Sequence, residues 1–191
     1  MRPVHLCHVA PFLVLKTPAT ANLVTGLVTL DPTVEHLIVG QDGDSPIYLT
    51  RAEAETVCHK MMANILTEAQ WEYACRAGRQ RLFPWGNEIL DDPALASWMK
   101  LVFANVQDIT TNGYGLAGLG VGEWCQDRWR RTYKSKPGPG EVYAVRGGAA
   151  LFWPWQDEGE WGLAVCASRM PSTDTFNGMA AVRPARSIVS C

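Results

Sequence analysis

Two capping boxes in the first half of the chain do most to limit its fold. In Thr50-Arg51-Ala52-Glu53 the threonine oxygen can accept from one orphan N–H of a helix start while the glutamate reaches back to another, and Thr67-Glu68-Ala69-Gln70 repeats the device. Behind the first box Ala54, Val57, Cys58, Met61 and Met62 recur at helical spacing. Around the second, Leu66 and Trp71 hold the two positions of a hydrophobic staple, Ala74 and Cys75 continue the apolar face, and Gly78 supplies a stop. The spacing predicts helices from Thr50 to Met62 and from Thr67 to Ala77, and Asp92-Pro93 offers a third start. After Asn105 the helical period is lost. Short strands read from Ala10 to Leu15, Glu35 to Val39, Glu123 to Cys125, Val142 to Arg146 and Ala180 to Arg183, with Gly147-Gly148 a turn. Seventeen glycines and twelve prolines add a loop-rich character, so the expected class is α+β rather than a helical bundle.

Composition narrows the function classes. Hydrophobic residues are 47% of the 191, enough for a sizeable core, and no apolar run reaches the roughly 20 residues that span a bilayer. The formal charge of −2 gives no basic field to recommend nucleic acid or an anionic membrane as partner. Six cysteines include no C-x-x-C pair, so they read as free thiols in a reducing compartment. Pro11 interrupts the apolar stretch near the N-terminus and no small-residue cleavage site follows, so no signal peptide is predicted.

Catalytic patterns are sparse. On a strand His5 and Cys7 share a face while His8 points away, so this cluster reads as a plain strand rather than a metal site. His36 and His59 have no sequence partner and read as loop and helix-surface residues. The glycine-rich stretch 115–122 lacks a phosphate-loop pattern, and neither G-x-S-x-G nor H-E-x-x-H occurs. Asp157, Glu158 and Glu160 read as a solvated loop before an acid/base pair. Trp71, Trp85 and Trp124 are expected in the core; Trp153, Trp155 and Trp161 fit either core or surface.

Ordered motifs carry more. Leu66-Thr67-Glu68-Ala69-Gln70-Trp71-Glu72-Tyr73-Ala74-Cys75-Arg76-Ala77-Gly78 is followed by Phe83-Pro84-Trp85-Gly86-Asn87 and Ala104-Asn105-Val106. Next come Thr111-Asn112-Gly113-Tyr114-Gly115-Leu116, Gly122-Glu123-Trp124-Cys125-Gln126-Asp127, Val145-Arg146-Gly147-Gly148 and Ala181-Val182-Arg183-Pro184-Ala185. In this order they resemble the formylglycine-generating enzyme, or sulfatase-modifying factor, family over nearly the whole chain. The resemblance implies that family's loop-rich C-type-lectin-like fold.

It also implies two chemistries whose ligands this sequence lacks. In oxidase members two cysteines after the Arg-Gly-Gly turn bind copper; the matching places here fall near Phe152 and Asp157. The iron-dependent sulfoxide synthases use a histidine cluster, and no histidine follows His59. The family's Gly-Asn-Val-Trp-Glu-Trp motif is altered here to 119–124, leaving Asn105 as the one plausible calcium ligand. A second branch, the variable proteins of diversity-generating retroelements, is similar to these enzymes but uses the C-terminal Arg-Gly-Gly segment as a hypervariable ligand-binding surface. The compact chain, its missing metal ligands and the aromatic, acid-rich stretch from Ala149 to Asn177 resemble that branch most.

The expectation is therefore one domain, 1–191, with a variable ligand-binding segment at 149–183 and no catalysis, cofactor or bound metal. The candidate ligand contacts are Phe152, Trp153, Trp155, Asp157, Glu158 and Trp161 on one lobe and Ser172, Thr173, Asp174, Phe176 and Asn177 on the other. The expected partner is a protein or other macromolecule, with no nucleic acid and no membrane insertion. The alternative is a divergent oxidoreductase of the same family with a relocated metal site.

Overall fold

A computed structural model describes residues 6–28, 32–88, 111–147, 165–173 and 180–188. Among these the chain forms β1 (Phe12–Val14), α1 (Ala21–Val28), a 3-10 helix (Pro32–Leu37), α2 (Arg51–Lys60), β2 (Asn64–Ile65) and α3 (Glu68–Cys75). Four further strands follow: β3 (Glu123–Arg128), β4 (Val142–Arg146), β5 (Arg169–Thr173) and β6 (Pro184–Ser187). They make two antiparallel sheets, ordered β1-β6-β2 and β3-β4-β5. The C-terminal strand thus lies between an N-terminal and a central one, joining both ends of the described chain into one sheet.

Both capping boxes form. Thr50 accepts from Glu53 N at 3.2 Å and Glu53 accepts from Thr50 N at 2.7 Å; Thr67 and Gln70 repeat this at 3.2 and 2.9 Å. The helices are shorter than the apolar spacing predicts. Met62 and Ala77 take positive φ of 52° and 51°, and Gly78 follows at 66°, so each last turn unwinds into a left-handed residue. Leu66 and Trp71, the staple pair, lie buried in the same apolar cluster with Cys75, Cys125, Ala144 and Cys166. A second cluster gathers Val24, Val34, Leu37, Ile47, Leu49, Val57, Trp124, Val145 and Val182.

Three sequence expectations are corrected, and one helix appears that the sequence did not mark. The stretch from Glu35 to Val39 is not a strand: Glu35 to Leu37 form the second half of the 3-10 helix, whose Val34 and Leu37, three apart, share a buried face as that geometry requires, and Ile38 and Val39 turn away from it. Helix α1 holds Gly26 and the β-branched Val24, Thr25 and Val28 among its eight residues; Thr20 caps it, its Oγ1 accepting from Leu23 N at 3.3 Å, and Ala21 and Val24 bury one face. Ala180 to Arg183 is no continuous strand, because its groups bond to different neighbours in turn: Ala180 O accepts from Leu49 N, Ala181 O from Trp124 N and Val182 O from Ala19 N. The closing strand starts one residue later, at Pro184. Trp85 is half-buried rather than core, stacked on the fully buried Phe83 with ring centroids 4.8 Å apart. The third helix start at Asp92-Pro93 lies outside the described residues.

Candidate functional site

The chain enters the candidate segment from β4, and β5 lies within it, after the first lobe of contacts and carrying Ser172 and Thr173 of the second. Arg146 ends β4 and Arg169 opens β5, and the two are register partners. Gly147 carries the turn out: its φ is +78°, and a Cβ there would overlap the Val121 carbonyl, so a side chain is excluded twice over.

Beneath this base α3 supplies the counter-charge. Its first residue, Glu68, is buried, and its backbone N–H donates to Asp127 Oδ2 at 2.7 Å. The Glu68 carboxylate holds the Arg169 guanidinium through both oxygens, with Arg169 Nε donating to Oε2 at 2.6 Å and Nη2 to Oε1. Arg146 Nε stands 3.3 Å from the same Oε2, an ion-pair distance without hydrogen-bond geometry. Arg146 Nη2 also donates to Glu72 Oε2 at 2.9 Å and to the Tyr133 hydroxyl at 3.0 Å. Its Nη1 donates to the carbonyls of Cys166 and Ser168 at 3.2 and 3.1 Å, so the outgoing arginine grips the returning backbone. Arg169 in turn lies over the rings of Trp129 and Tyr133, 4.5 and 4.4 Å from their centroids, and donates to Arg130 O at 2.9 Å. Burial alone would lower the Arg146 pKa, but Tyr133, Cys125, Glu72 and Glu68 around it hold it raised and the guanidinium charged.

Of the candidate contacts, Ser172 and Thr173 fall within the described residues, half-buried on β5 opposite Tyr143 and Val142. Strand alternation sends Ser172 to the face of Met170 and Tyr143 and Thr173 to that of Ala144 and Arg146. Phe152, Trp153, Trp155, Asp157, Glu158, Trp161, Asp174, Phe176 and Asn177 lie outside the described residues, as does Asn105. The Glu68–Arg146–Arg169 cluster was not singled out from sequence. Its signal was a buried-side acid in a helix's first turn and two arginines at the ends of an irregular stretch, which only the fold brings together.

The copper implied by the family resemblance does not fit the donors. By that resemblance the places of the two thiolates fall near Phe152 and Asp157, and neither side chain can supply one. The thiol pair that the fold does bring together, Cys75 and Cys166 with Sγ atoms 3.0 Å apart, is sealed in the core, where burial pushes the Cys75 pKa well up and disfavours the thiolate. Among the described residues no three His, Cys, Asp or Glu side chains converge to hold a metal.

The remaining sequence motifs build scaffold. Arg183 is buried and gives all five N–H donors: two to the Glu123 carboxylate at 3.0 and 2.8 Å, the others to the carbonyls of Leu15, Lys16 and Ala117. Asn112 caps the end of α3, donating to Ala74 O and Cys75 O while its Oδ1 accepts from the N–H groups of Tyr114 and Leu116. Trp124 Nε1 donates to Leu49 O at 2.8 Å. These contacts define a C-type-lectin-like α+β scaffold of the formylglycine-generating type.

The chain belongs to the family of the sulfatase-modifying factor enzyme 1-like domain, whose model matches residues 2–176. It is 31% identical to the formylglycine-generating enzyme of Mus musculus over 55% of this chain and 35% of that one. With the Streptomyces coelicolor formylglycine-generating enzyme the identity is 29%, over 60% and 44%. The chain thus spans less than half the length of these curated relatives. Among solved structures, Treponema denticola variable protein 1 superposes with a TM-score of 0.68 at 18% identity, covering 93% of this chain and 84% of that one. PvdO from Pseudomonas aeruginosa gives 0.67 at 18% identity, covering 93% and 81%.

Proposed function

We propose that this protein is a non-catalytic ligand-binding protein, a variable protein of the diversity-generating retroelement kind, whose 149–183 segment presents a changeable contact surface. One observation carries the reading: Arg146 and Arg169, which flank the first lobe of contacts, are register partners pinned on one buried carboxylate, so residues between them can change without moving the frame. The fold likeness to a variable protein supports it, as does the failure of the donors to fit a copper site. Trp153, Trp155 and Trp161 supply large contact area at low entropy cost, and Asp157 and Glu158 supply charge. A wall of that kind suits a protein or other macromolecule better than a metabolite, which needs enclosure.

The test randomises the codons for Phe152, Trp153, Trp155, Asp157, Glu158 and Trp161 in the full chain and selects the displayed library against a panel of proteins. Specific binders, with unselected members still folded, are the expected result. A library that loses the fold, or yields no binder, overturns the reading. Stoichiometric copper uptake with oxygen consumption on a cysteine-containing peptide would establish the divergent oxidoreductase instead.

A further inference from the structure

The β3–β4 hairpin lies beside the Glu68–Arg146–Arg169 cluster, which acts as a clamp on the ends of β4 and β5, and it concentrates charge. Arg128, Arg130, Arg131, Lys134 and Lys136 fall within nine residues that contain no acid, while the rest of the chain, with twelve Lys and Arg against nineteen Asp and Glu, is left at −7. Arg128 is spent inside the hairpin, its Nη2 donating to the carbonyl of Gly140. Arg130, Arg131, Lys134 and Lys136 are exposed, and among the described residues none pairs with a carboxylate.

The tip is nonetheless ordered. Ser135 N donates to Thr132 Oγ1 at 3.2 Å, Thr132 N to Ser135 Oγ at 3.0 Å and Ser135 Oγ to Thr132 O at 2.8 Å. Arg169 holds Arg130 O, and Arg146 holds the Tyr133 hydroxyl. A charged loop that served solubility alone needs no such fixing, since mutual repulsion favours a spread, mobile chain. Here like charges are held together on a frame tied to the clamp.

We propose that Arg130, Arg131, Lys134 and Lys136 form a fixed docking surface for a carboxylate-rich protein segment. This goes beyond the reading above, because it uses none of the changeable residues. Guanidinium groups suit carboxylates through paired N–H donors. Two features turn the surface away from nucleic acid. The aromatic residues interleaved with the cations, Trp129 and Tyr133, face Arg169 and offer no platform for base stacking. A long polyanion leaving the hairpin would also meet a chain at −7, whereas a short acidic segment ends within the patch.

The probe is a fluorescent decapeptide of glutamates, titrated onto the full chain at about 50 and about 200 mM salt, beside a single-stranded oligonucleotide of equal charge and vesicles containing phosphatidylserine. Peptide binding should weaken by about tenfold or more in Arg130→Glu/Arg131→Glu and separately in Lys134→Glu/Lys136→Glu, each with unchanged melting. Lys16→Glu/Arg79→Glu, an equal charge change on exposed residues elsewhere, should cost less than about threefold. Equal losses in all three variants, no peptide binding, or oligonucleotide or vesicle binding as tight as the peptide's would each overturn the proposal. A chain with residues 150–162 replaced by Gly-Ser repeats should still bind the peptide, which separates this surface from the fate of the changeable segment.

Discussion

Arg183 and Arg146 are both buried arginines at the edge of a strand, yet the fold closes around them differently. Arg183 has one carboxylate to itself, and its five donors meet Glu123 and three carbonyls drawn from two distant parts of the chain. Arg146 shares Glu68 with Arg169, leaves Nε without a hydrogen bond and leans also on Glu72, whose side chain is 27% exposed. The first arrangement has a single solution and locks the N-terminus, the loop around Ala117 and the closing strand together. The second has spare partners. A pinned base with redundant contacts holds the ends of a segment while tolerating what lies between them, and the difference separates scaffold from candidate surface.

The sharpest way to break the comparison is to remove one carboxylate from each. Glu123→Gln strands the Arg183 charge in the core, and a loss of about 4 kcal/mol is expected from urea denaturation. Glu68→Gln leaves Arg146 with Glu72 and Arg169 with its two aromatic faces, so about 2 kcal/mol is expected. Hydrogen exchange should localise that smaller loss to the amides of β5, whereas Glu123→Gln should raise exchange throughout. Equal losses in the two variants would erase the distinction between a closed cage and a shared one.

The two apolar clusters differ little from each other in their thiols, and this gives a pH prediction. Burial pushes Cys58 from an ordinary 9.0 to about 12, and pushes Cys75 and Cys125 well up. Above pH 9 the unfolded chain therefore releases protons that the folded one keeps, so stability falls as pH rises toward 12. Cys58 alone should remove about 1.4 kcal/mol per pH unit in that window. Cys58→Ala should make the decline measured by denaturant melts between about pH 9 and about pH 11 shallower by about 1.4 kcal/mol per pH unit, leaving the share of Cys75 and Cys125. In a Cys191→Ser background at neutral pH, exposed Cys7 should react with a thiol reagent at once, and the buried cysteines only as fast as the fold opens.

The scaffold was legible in sequence where local chemistry dictates it. Both capping boxes and the staple need only near neighbours to form, and the strand from Val142 to Arg146 is marked by its own β-branched and aromatic residues. Thr67→Ala should cost about 1 kcal/mol, a local loss read as a small drop in melting temperature. What sequence missed is set by distance. The 3-10 helix at Pro32 and the broken pairing at Ala180 depend on partners elsewhere in the chain, and the apolar runs Leu37-Ile38-Val39 and Ala180-Ala181-Val182 read equally as strand. Glu68 sits within a clear motif, but that it would meet Arg169 follows from no spacing, since 101 positions separate them. The family motifs placed the fold and marked Arg146 and Arg183; they did not say that one closes a scaffold and the other a clamp.

The smallest expected effect is the most informative about the candidate segment. Phe152, Asp157 and Phe176, replaced together by serine, should move the folding free energy by no more than about 0.5 kcal/mol if they face outward as ligand contacts, because exposed substitutions away from caps and buried pairs cost that little. Two phenylalanines taken from a packed core would instead cost about 3 kcal/mol or more each. The clamp sharpens the reading. In the Glu68→Gln background the same triple change should remain near neutral, since Arg146 still grips the carbonyls of Cys166 and Ser168 and the pairing of β4 with β5 is intact. A large loss in both backgrounds would put these residues in the core and end their candidacy as contacts. A large loss only in the Glu68→Gln background would mean that the segment's own side chains help to hold its base, and that the Glu68 clamp and the candidate surface are energetically one unit rather than frame and display.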